Sequence, residues 1–129
     1  MQILLLFCFA FAWIVSGSSN ADADIDTMSC ICRELKRLRG SYTFNETSDS
    51  YQSATAIDNN RCRVNPLVVI LPLDEADIQL SMLAAQHCKL PFSTVSGGHG
   101  AAGYELAKNG VTISMSLMTA VTTDLAGVM

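Results

Sequence analysis

The second half of the chain shows two distinct hydrophobic patterns. Residues 67–71, LVVIL, form an unbroken aliphatic run closed by Pro72, which predicts a strand buried on both faces. The next segment has the period of a helix, which Asp74 is expected to cap and Pro91 to end. Its predicted core-facing residues share one stripe: Ile78, Met82 and Ala85, with Leu83 beside it.

Two further strands are predicted after this helix. Residues 92–95 form a short strand that runs directly into a group of glycines. Residues 111–117 follow an Asn109-Gly110 turn and alternate apolar residues with Thr112, Ser114 and Ser116, which predicts a half-buried strand. Strand, helix and strand in this order predict a βαβ unit with a right-handed connection, in the α/β (α+β) class.

The first half of the chain gives weaker signals. Ser29 is expected to cap a short helix that reaches about Leu38 and ends at Gly40, after an acidic lead-in at residues 22–27. Residues 41–60 are rich in Ser, Thr and Asn, which predicts a loop or a short edge strand. Its expected hydrophobic anchors are Tyr42, Phe44 and Tyr51.

The N-terminus has the pattern of a secretion signal. Residues 3–15 are continuously apolar, too few for a membrane span of roughly 20 residues, and small and polar residues follow them. We therefore predict a signal peptide over residues 1–23, whose cleavage removes Cys8 and leaves a secreted protein without a membrane anchor. The alternative is a hydrophobic anchor that stays uncleaved.

Composition narrows the possible functions. The 129 residues suffice for about one domain. A net charge of −4 gives no electrostatic case for binding nucleic acid. The one basic cluster, residues 33–39, also contains Glu34 and Leu35, and it is interpreted as the solvated face of a helix.

Four cysteines remain after the predicted cleavage: Cys30, Cys32, Cys62 and Cys88. In an oxidising compartment they are disulfide candidates, and three pairings are open, with Cys30–Cys32 the least favourable. His87 adjoins Cys88, but the spacings match no zinc pattern, so no metal site is predicted. Asn45-Glu46-Thr47 is a candidate glycosylation acceptor at Asn45.

The glycine-rich segment after residue 95 carries the candidate chemistry. Ser96, Gly97, Gly98, His99 and Gly100, with Gly103 beyond them, could direct several backbone N–H groups toward one anion. The segment is neither a GxGxxG motif nor a P-loop, so composition alone leaves a ligand cradle and a plain tight turn equally open. His99 is correspondingly either a structural residue or a nucleophile. Tyr104 is expected to pack on this loop or on its ligand.

An ordered set of residues across this region resembles a known family. The set comprises Pro66-Leu67-Val68-Val69, Pro72, Asp77-Ile78, Pro91-Phe92, Ser96-Gly97-Gly98-His99, Gly103, Val111-Thr112-Ile113 and Leu117-Met118. It is similar to the N-terminal half of the PCMH-type FAD-binding domain of FAD-linked oxidases, of the vanillyl-alcohol oxidase and p-cresol methylhydroxylase type. The secreted berberine-bridge-enzyme-like branch resembles it most, over about residues 60–124.

The resemblance implies a flavin site. In that family the loop lies against the FAD diphosphate, and the histidine at the position of His99 is commonly bonded to the flavin 8α-methyl group. The implied reaction is hydride removal from an alcohol, amine or sugar carbon of a small-molecule substrate, with dioxygen as the usual acceptor. The resemblance also implies a disulfide from Cys62 to Cys30 or Cys32 in the N-terminal helix.

This sequence departs from the family in three respects. Val95 stands where relatives usually have Arg, and Ser114 stands where many have Asp. The chain also ends where the first half of the flavin domain ends, so we expect a fragment: residues 24–63 an N-terminal segment, 64–129 a truncated FAD-binding domain. No catalytic base is identified, and the isolated chain is expected to be inactive. The alternative is a non-catalytic secreted module, or an inactive truncated product, with an anion-binding glycine loop.

Overall fold

The computed structural model describes residues 20–121 of the chain. Its helices are α1 (Asn20–Glu34), α2 (Asp49–Ala54) and α3 (Glu75–His87). Its strands are β1 (Ser41–Thr43), β2 (Val68–Leu71), β3 (Phe92–Val95) and β4 (Val111–Ser114). Single 3-10 turns occupy Leu35–Arg37, Asn60–Cys62 and Met115–Leu117. Most of the predicted signal peptide, with Cys8, and residues 122–129 lie outside the described residues.

The four strands form one mixed sheet in the order β1-β2-β4-β3. Strand β1 is antiparallel to β2, whereas β2, β4 and β3 run parallel to one another. The predicted strand-helix-strand unit is present as β2, α3 and β3, but β4 lies between its two strands. The three parallel strands therefore end at the same edge of the sheet, where ligands commonly bind in α/β folds.

Helices cover both faces of the sheet. On one face, apolar residues of β2 and β4 pack with α1 and α3: Ile31, Leu35, Val68, Ile70, Ala84, Ala85, Val111 and Ile113. On the other face, Val69 and Leu71 of β2 pack against Tyr51 and Ala54 of α2. The predicted strand at residues 67–71 is thus confirmed as buried on both faces, and the α/β class is confirmed.

Strand β4 is more buried than its alternating sequence predicts. All four residues are buried, including Thr112 and Ser114, and the strand ends at Ser114 rather than Leu117. Burial is tolerated because the hydroxyl groups have partners. The Thr112 Oγ1 accepts the N–H of Ala107 at 3.2 Å and lies 3.1 Å from the Ser93 Oγ. Both faces of β4 are covered, because Val111 and Ile113 pack in the cluster with α1 and α3 and the segment at Ala107 lies over Thr112 on the other face.

Helix α3 buries a different face from the predicted stripe. Asp74 is its N-cap, as predicted, with its carboxylate accepting the N–H of Asp77 at 3.0 Å. The buried residues, however, are small or polar: Asp77, Ser81, Ala84 and Ala85. Met82 and Leu83 are 41% and 61% exposed. The predicted stripe is therefore wrong at Met82 and Leu83, whereas Ala85 is buried and Ile78 is half-buried. Small side chains on the buried face allow the helix to lie close to the sheet and to α1.

Helix α1 begins earlier than predicted and is tied to α3. It includes the acidic lead-in and continues through Ser29, which is therefore not its cap. Ile31 of α1 is buried, and so is Leu35 at the start of the 3-10 turn that follows the helix. Cys30 forms a disulfide with Cys88, just beyond the end of α3. No helix among residues 20–121 is long and apolar enough to cross a lipid bilayer.

The polar segment 41–60 contains a helix as well as the predicted edge strand. Strand β1 lies at the sheet edge, but α2 was missed. Its N-cap is Ser48, whose hydroxyl accepts the N–H of Tyr51 at 3.3 Å. Tyr51 is 1% exposed, and its hydroxyl donates to the carbonyl of Pro66 at 2.7 Å. One buried tyrosine therefore docks a helix whose other residues are mainly polar.

Asp77 joins the chain after α1 to the chain before α3. Its carboxylate accepts backbone N–H groups from Arg39 at 2.9 Å, Gly40 at 2.8 Å and Leu73 at 3.0 Å. Burial alone would raise the pKa of Asp77, but these three donors outweigh it and hold the pKa below its usual value. A charged carboxylate is consequently part of the folded core.

Candidate functional site

The glycine bend, residues 96–100, follows β3 at the edge where the parallel strands end. Ser96, Gly97 and His99 are exposed, while Gly98 is buried. Gly98 has a positive φ of 74°, a conformation that side-chain-bearing residues rarely adopt. The bend therefore presents Ser96, Gly97 and the His99 imidazole to solvent, while Gly98 is covered.

Residues 56–58, after α2, support the bend. The Asp58 N–H donates to the Gly98 carbonyl at 2.9 Å. A Cβ atom at Gly98 would lie 2.7 Å from the Ala56 carbonyl oxygen, too close for any side chain. Glycine is required here for two reasons, the backbone angle and the approach of the neighbouring segment.

His99 pairs with the side chain of Asp58. Its Nδ1 lies 2.8 Å from the Asp58 Oδ2, with 79% and 72% of the two side chains exposed. The hydrogen bond and charge of Asp58 raise the pKa of His99, and Glu105 adds a smaller effect. The imidazole lies over Gly97, where a Cβ would be 2.7 Å from the His99 Cδ2. No described residue is hydrogen-bonded to the His99 Nε2.

The backbone donors of the bend divide into two groups. No acceptor within residues 20–121 is hydrogen-bonded to the N–H groups of Gly97, Gly98 or His99. The Gly100 N–H, by contrast, donates to the Glu105 Oε2 at 3.0 Å. Successive N–H groups around a residue of positive φ form the concave arrangement that binds anions. Among the described residues the bend thus has three backbone donors without a partner, one of them on the buried Gly98, and a fourth already on a carboxylate.

The outer part of the loop rests on the 3-10 turn at Asn60–Cys62. Gly103 has a φ of 72°, and a Cβ there would lie 2.2 Å from the Cys62 Cβ. The Asn59 side-chain amide donates to the Ala101 carbonyl at 2.7 Å and to the Cys62 Sγ at 3.3 Å. Gly103 is therefore a packing residue of the loop, placed beside the bend rather than within it.

The structure resolves the cysteine alternatives. Cys30 pairs with Cys88, whereas Cys32 and Cys62 are free thiols. The disulfide expected between Cys62 and the N-terminal helix is therefore wrong, since Cys62 packs under the glycine loop instead. Among the described residues, no three His, Cys, Asp or Glu side chains are grouped to hold a metal.

Several residues near the bend were not found from the sequence. Asp58 and Glu105 bond to the bend, Asn59 bonds to Ala101 just after it, and Asp58 lies 41 residues before its partner His99. The only local signal was Asn59, whose side chain caps the following 3-10 turn. Tyr104 is 87% exposed, so the expected packing on the loop is wrong.

An open apolar groove lies away from the bend. Met82 and Leu83 of α3 line it together with Leu90, Pro91 and Phe92. Phe92 begins β3, whereas the bend follows the end of that strand. The groove and the bend are therefore at opposite edges of the sheet.

Comparison by sequence gives no relative: no family model matches the chain, and no curated protein matches it. Comparison by structure, in contrast, finds solved structures that match the chain. Xylooligosaccharide oxidase from Myceliophthora thermophila C1 matches with a TM-score of 0.66 and 23% identity, over 75% of this chain and 21% of that one. The BBE-like 1 protein of Physcomitrella patens matches with 0.62 and 20% identity, over 78% and 21%.

A third match names its cofactor. Glucooligosaccharide oxidase from Acremonium strictum, described with a 6-S-cysteinyl, 8α-N1-histidyl FAD, matches with a TM-score of 0.63 and 17% identity. That alignment covers 76% of this chain and 20% of the oxidase. The chain thus spans about a fifth of the length of the structures it matches. Its fold is that of one part of the FAD-linked oxidases, as the sequence resemblance predicted.

Proposed function

We propose that this chain supplies the diphosphate-binding bend and the flavin-attaching histidine of an FAD site, as part of a secreted oxidoreductase. One observation carries the proposal: the backbone N–H groups of Gly97, Gly98 and His99 have no partner among the described residues, and they lie in the same bend as an exposed imidazole. The fold shared with oxidases, one of which holds FAD through a histidyl bond, supports FAD as the ligand.

The residues of the bend fit a dinucleotide in shape. Backbone donors at Gly97, Gly98 and His99 suit a diphosphate, which needs several N–H groups at close approach. Glycine at positions 97 and 98 adds no side chain to block that approach, but the His99 imidazole covers Gly97 and the Ala56 carbonyl covers Gly98, so both must be accommodated. Glu105 opposes the fit, because its carboxylate already accepts the Gly100 N–H. Binding therefore uses the first three donors, or displaces Glu105 to gain the fourth.

Each group has a distinct role in the proposed site. The flavin would supply hydride acceptance from an alcohol, amine or sugar carbon of a small-molecule substrate, with dioxygen as the acceptor. The bend orients the dinucleotide, and His99 holds the ring system at the edge of the sheet. The activity of the whole oxidase is proposed for a protein that includes this chain as one part.

Secretion is part of the same proposal. The apolar N-terminal segment and the Cys30–Cys88 disulfide both suit the secretory pathway. Asn45 is exposed, and its side-chain oxygen accepts the Thr47 N–H at 3.0 Å and the Thr47 hydroxyl at 2.8 Å. This surface position supports Asn45 as a glycosylation site. A loss of mass on enzymatic deglycosylation, absent from Asn45→Gln, tests it.

A non-catalytic secreted module is the second candidate. It is favoured by the protein's own bonds to this loop, from the Asp58 N–H to the Gly98 carbonyl in the bend and from the Asn59 side chain to the Ala101 carbonyl just after it. Such a module would bind inorganic pyrophosphate or a nucleotide without preference for the flavin ring. Preference for FAD over ADP therefore separates the two functions.

Titration of the purified chain with FAD, ADP and riboflavin tests the proposal. FAD has both the diphosphate and the flavin, ADP has only the diphosphate, and riboflavin only the flavin. We expect the affinity order FAD, then ADP, then riboflavin, measured by calorimetry. Equal binding of FAD and ADP favours the non-catalytic module, and no binding of either contradicts the diphosphate site.

A further inference from the structure

The relationship between Asp58 and His99 carries an inference that rests on the proposed flavin site. We propose that Asp58 is a positioning residue that keeps a proton on the His99 Nδ1 and leaves Nε2 as the nitrogen that bonds to the flavin. The 8α-N1-histidyl bond named for glucooligosaccharide oxidase uses N1. In this chain Nδ1, which is N1 in that nomenclature, already faces a carboxylate at 2.8 Å.

Two contacts fix Asp58 relative to the bend. The Asp58 N–H donates to the Gly98 carbonyl at 2.9 Å, and its carboxylate bonds the imidazole of the next residue. The same residue therefore holds both the backbone and the side chain of the bend. A carboxylate accepts but does not donate, so the bonded Nδ1 must carry a hydrogen. In the neutral ring this leaves the lone pair on Nε2.

The surroundings of the imidazole support this assignment. The Nε2 has no hydrogen-bond partner among the described residues, and most of the side chain is exposed. The charged groups that act on the ring are Asp58, at bonding distance, and Glu105, with a weaker effect. Both are carboxylates, so both stabilise the positive charge that develops on the ring when Nε2 forms a bond.

One C–H bond of the flavin 8α-methyl breaks and a bond forms between that carbon and Nε2. The methyl proton leaves, the Nδ1 proton follows by way of Asp58, and the flavin is left reduced by two electrons. Dioxygen then takes up two electrons and two protons as hydrogen peroxide and returns the flavin to its oxidised form.

The pairing also predicts how attachment depends on pH. Only the neutral imidazole has a lone pair on Nε2, and Asp58 raises the pKa of His99. Attachment in the wild type should therefore increase as the pH rises through this raised pKa. In Asp58→Ala the midpoint should move to lower pH, and the plateau rate should fall about tenfold or more, because the charge and the ring orientation are lost.

The pairing can be tested first without flavin. The chain has two histidines, and NMR of the ¹⁵N-labelled imidazoles reports the tautomer and titration of each. His87 provides a matched control, because its Nδ1 lies 3.1 Å from the Glu34 Oε1. Asp58→Ala should lower the pKa of His99 and mix its tautomers, whereas Glu34→Ala should alter only the His87 signals. If the pKa and the tautomer of His99 are unchanged in Asp58→Ala, the inference is wrong.

The linkage atom provides the second test. The full chain is expressed with FAD and digested, and the bonded nitrogen of the flavin peptide is identified by NMR. Attachment through Nε2 supports the inference. Attachment through Nδ1 overturns it but leaves the proposed flavin site intact. If no flavin peptide forms, the covalent part of the proposed function fails, and the imidazole titration alone decides the role of Asp58.

Discussion

Cys30 and Cys88 connect α1 to the end of α3 across 58 residues of sequence. A link that closes a loop of this length restricts the unfolded chain and stabilises the fold by about 4 kcal/mol on the chain-entropy estimate. Cys30→Ser should lower the free energy of unfolding in urea by about that amount.

Cys32→Ser is the matched control, since Cys32 lies in the same helix as a free thiol. It should unfold at nearly the same urea concentration as the wild type. Peptide mapping without reductant should recover the Cys30–Cys88 pair. A map that joins Cys62 to α1 would contradict the structure and restore the pairing expected from the family resemblance.

Asp77→Asn should destabilise the protein by about 2–4 kcal/mol, because three backbone N–H groups lose a charged acceptor. The pKa of Asp77 is lowered in the folded state, so its contribution is present above a pH of about 4. This stability is lost as the pH falls through the lowered folded-state pKa.

Urea unfolding at several pH values measures both effects. The difference between wild type and Asp77→Asn should be constant near neutral pH and shrink in acid. Asp74→Asn is the control, because asparagine also caps helices well and only the exposed pair with Arg39 is lost. Equal losses of unfolding free energy in the two variants would show that the buried Asp77 carboxylate stabilises the fold no more than the Asp74 carboxylate does.

Gly98→Ala should abolish ligand binding at the bend and cost about 1–3 kcal/mol in stability. The added methyl group meets the Ala56 carbonyl at 2.7 Å and forces a residue with a side chain to keep a φ of 74°. In Gly100→Ala the obstacle is the Glu105 side chain, which can rotate away. Binding of FAD by the two variants, measured by calorimetry, should differ clearly, and equal retention would contradict the geometry of the bend.

Glu105→Gln should tighten binding of FAD and of inorganic pyrophosphate. The carboxylate now accepts the Gly100 N–H, so it both repels an approaching anion and occupies one donor. Removing about 1 kcal/mol of repulsion corresponds to roughly a fivefold gain in affinity. Weaker binding by this variant would show that Glu105 supports the ligand instead of competing with it.

The sequence predicted the parts of the fold that depend on local pattern. The aliphatic run of β2 predicts a buried strand, and Asp74 predicts a helix N-cap, from neighbouring residues alone. Both predictions were confirmed. Helix α2 was missed because its stability depends on Tyr51, which is buried against residues distant in sequence. The buried face of α3 was wrong because close helix packing selected Ala84 and Ala85 over larger apolar residues.

The residues of the candidate site also fall into those that local sequence predicts and those that only the fold brings together. The bend and His99 were found from glycine spacing, which records a local backbone requirement. Asp58 could not be found, because its relationship to His99 exists only after α2 brings the two segments together. Glu105 lies only five residues from Gly100, but nothing in its local sequence indicates that its side chain folds back on the bend.

In the proposed site, the backbone N–H groups of residues 97–99 face a dinucleotide, and His99 lies beside the flavin ring. The most direct measurement is the flavin absorbance of the full chain, expressed with FAD and then precipitated in acid. Yellow colour should remain with the protein and map to the peptide that contains His99, and His99→Ala should lose it. A colourless wild-type precipitate would contradict the covalent assignment for this chain.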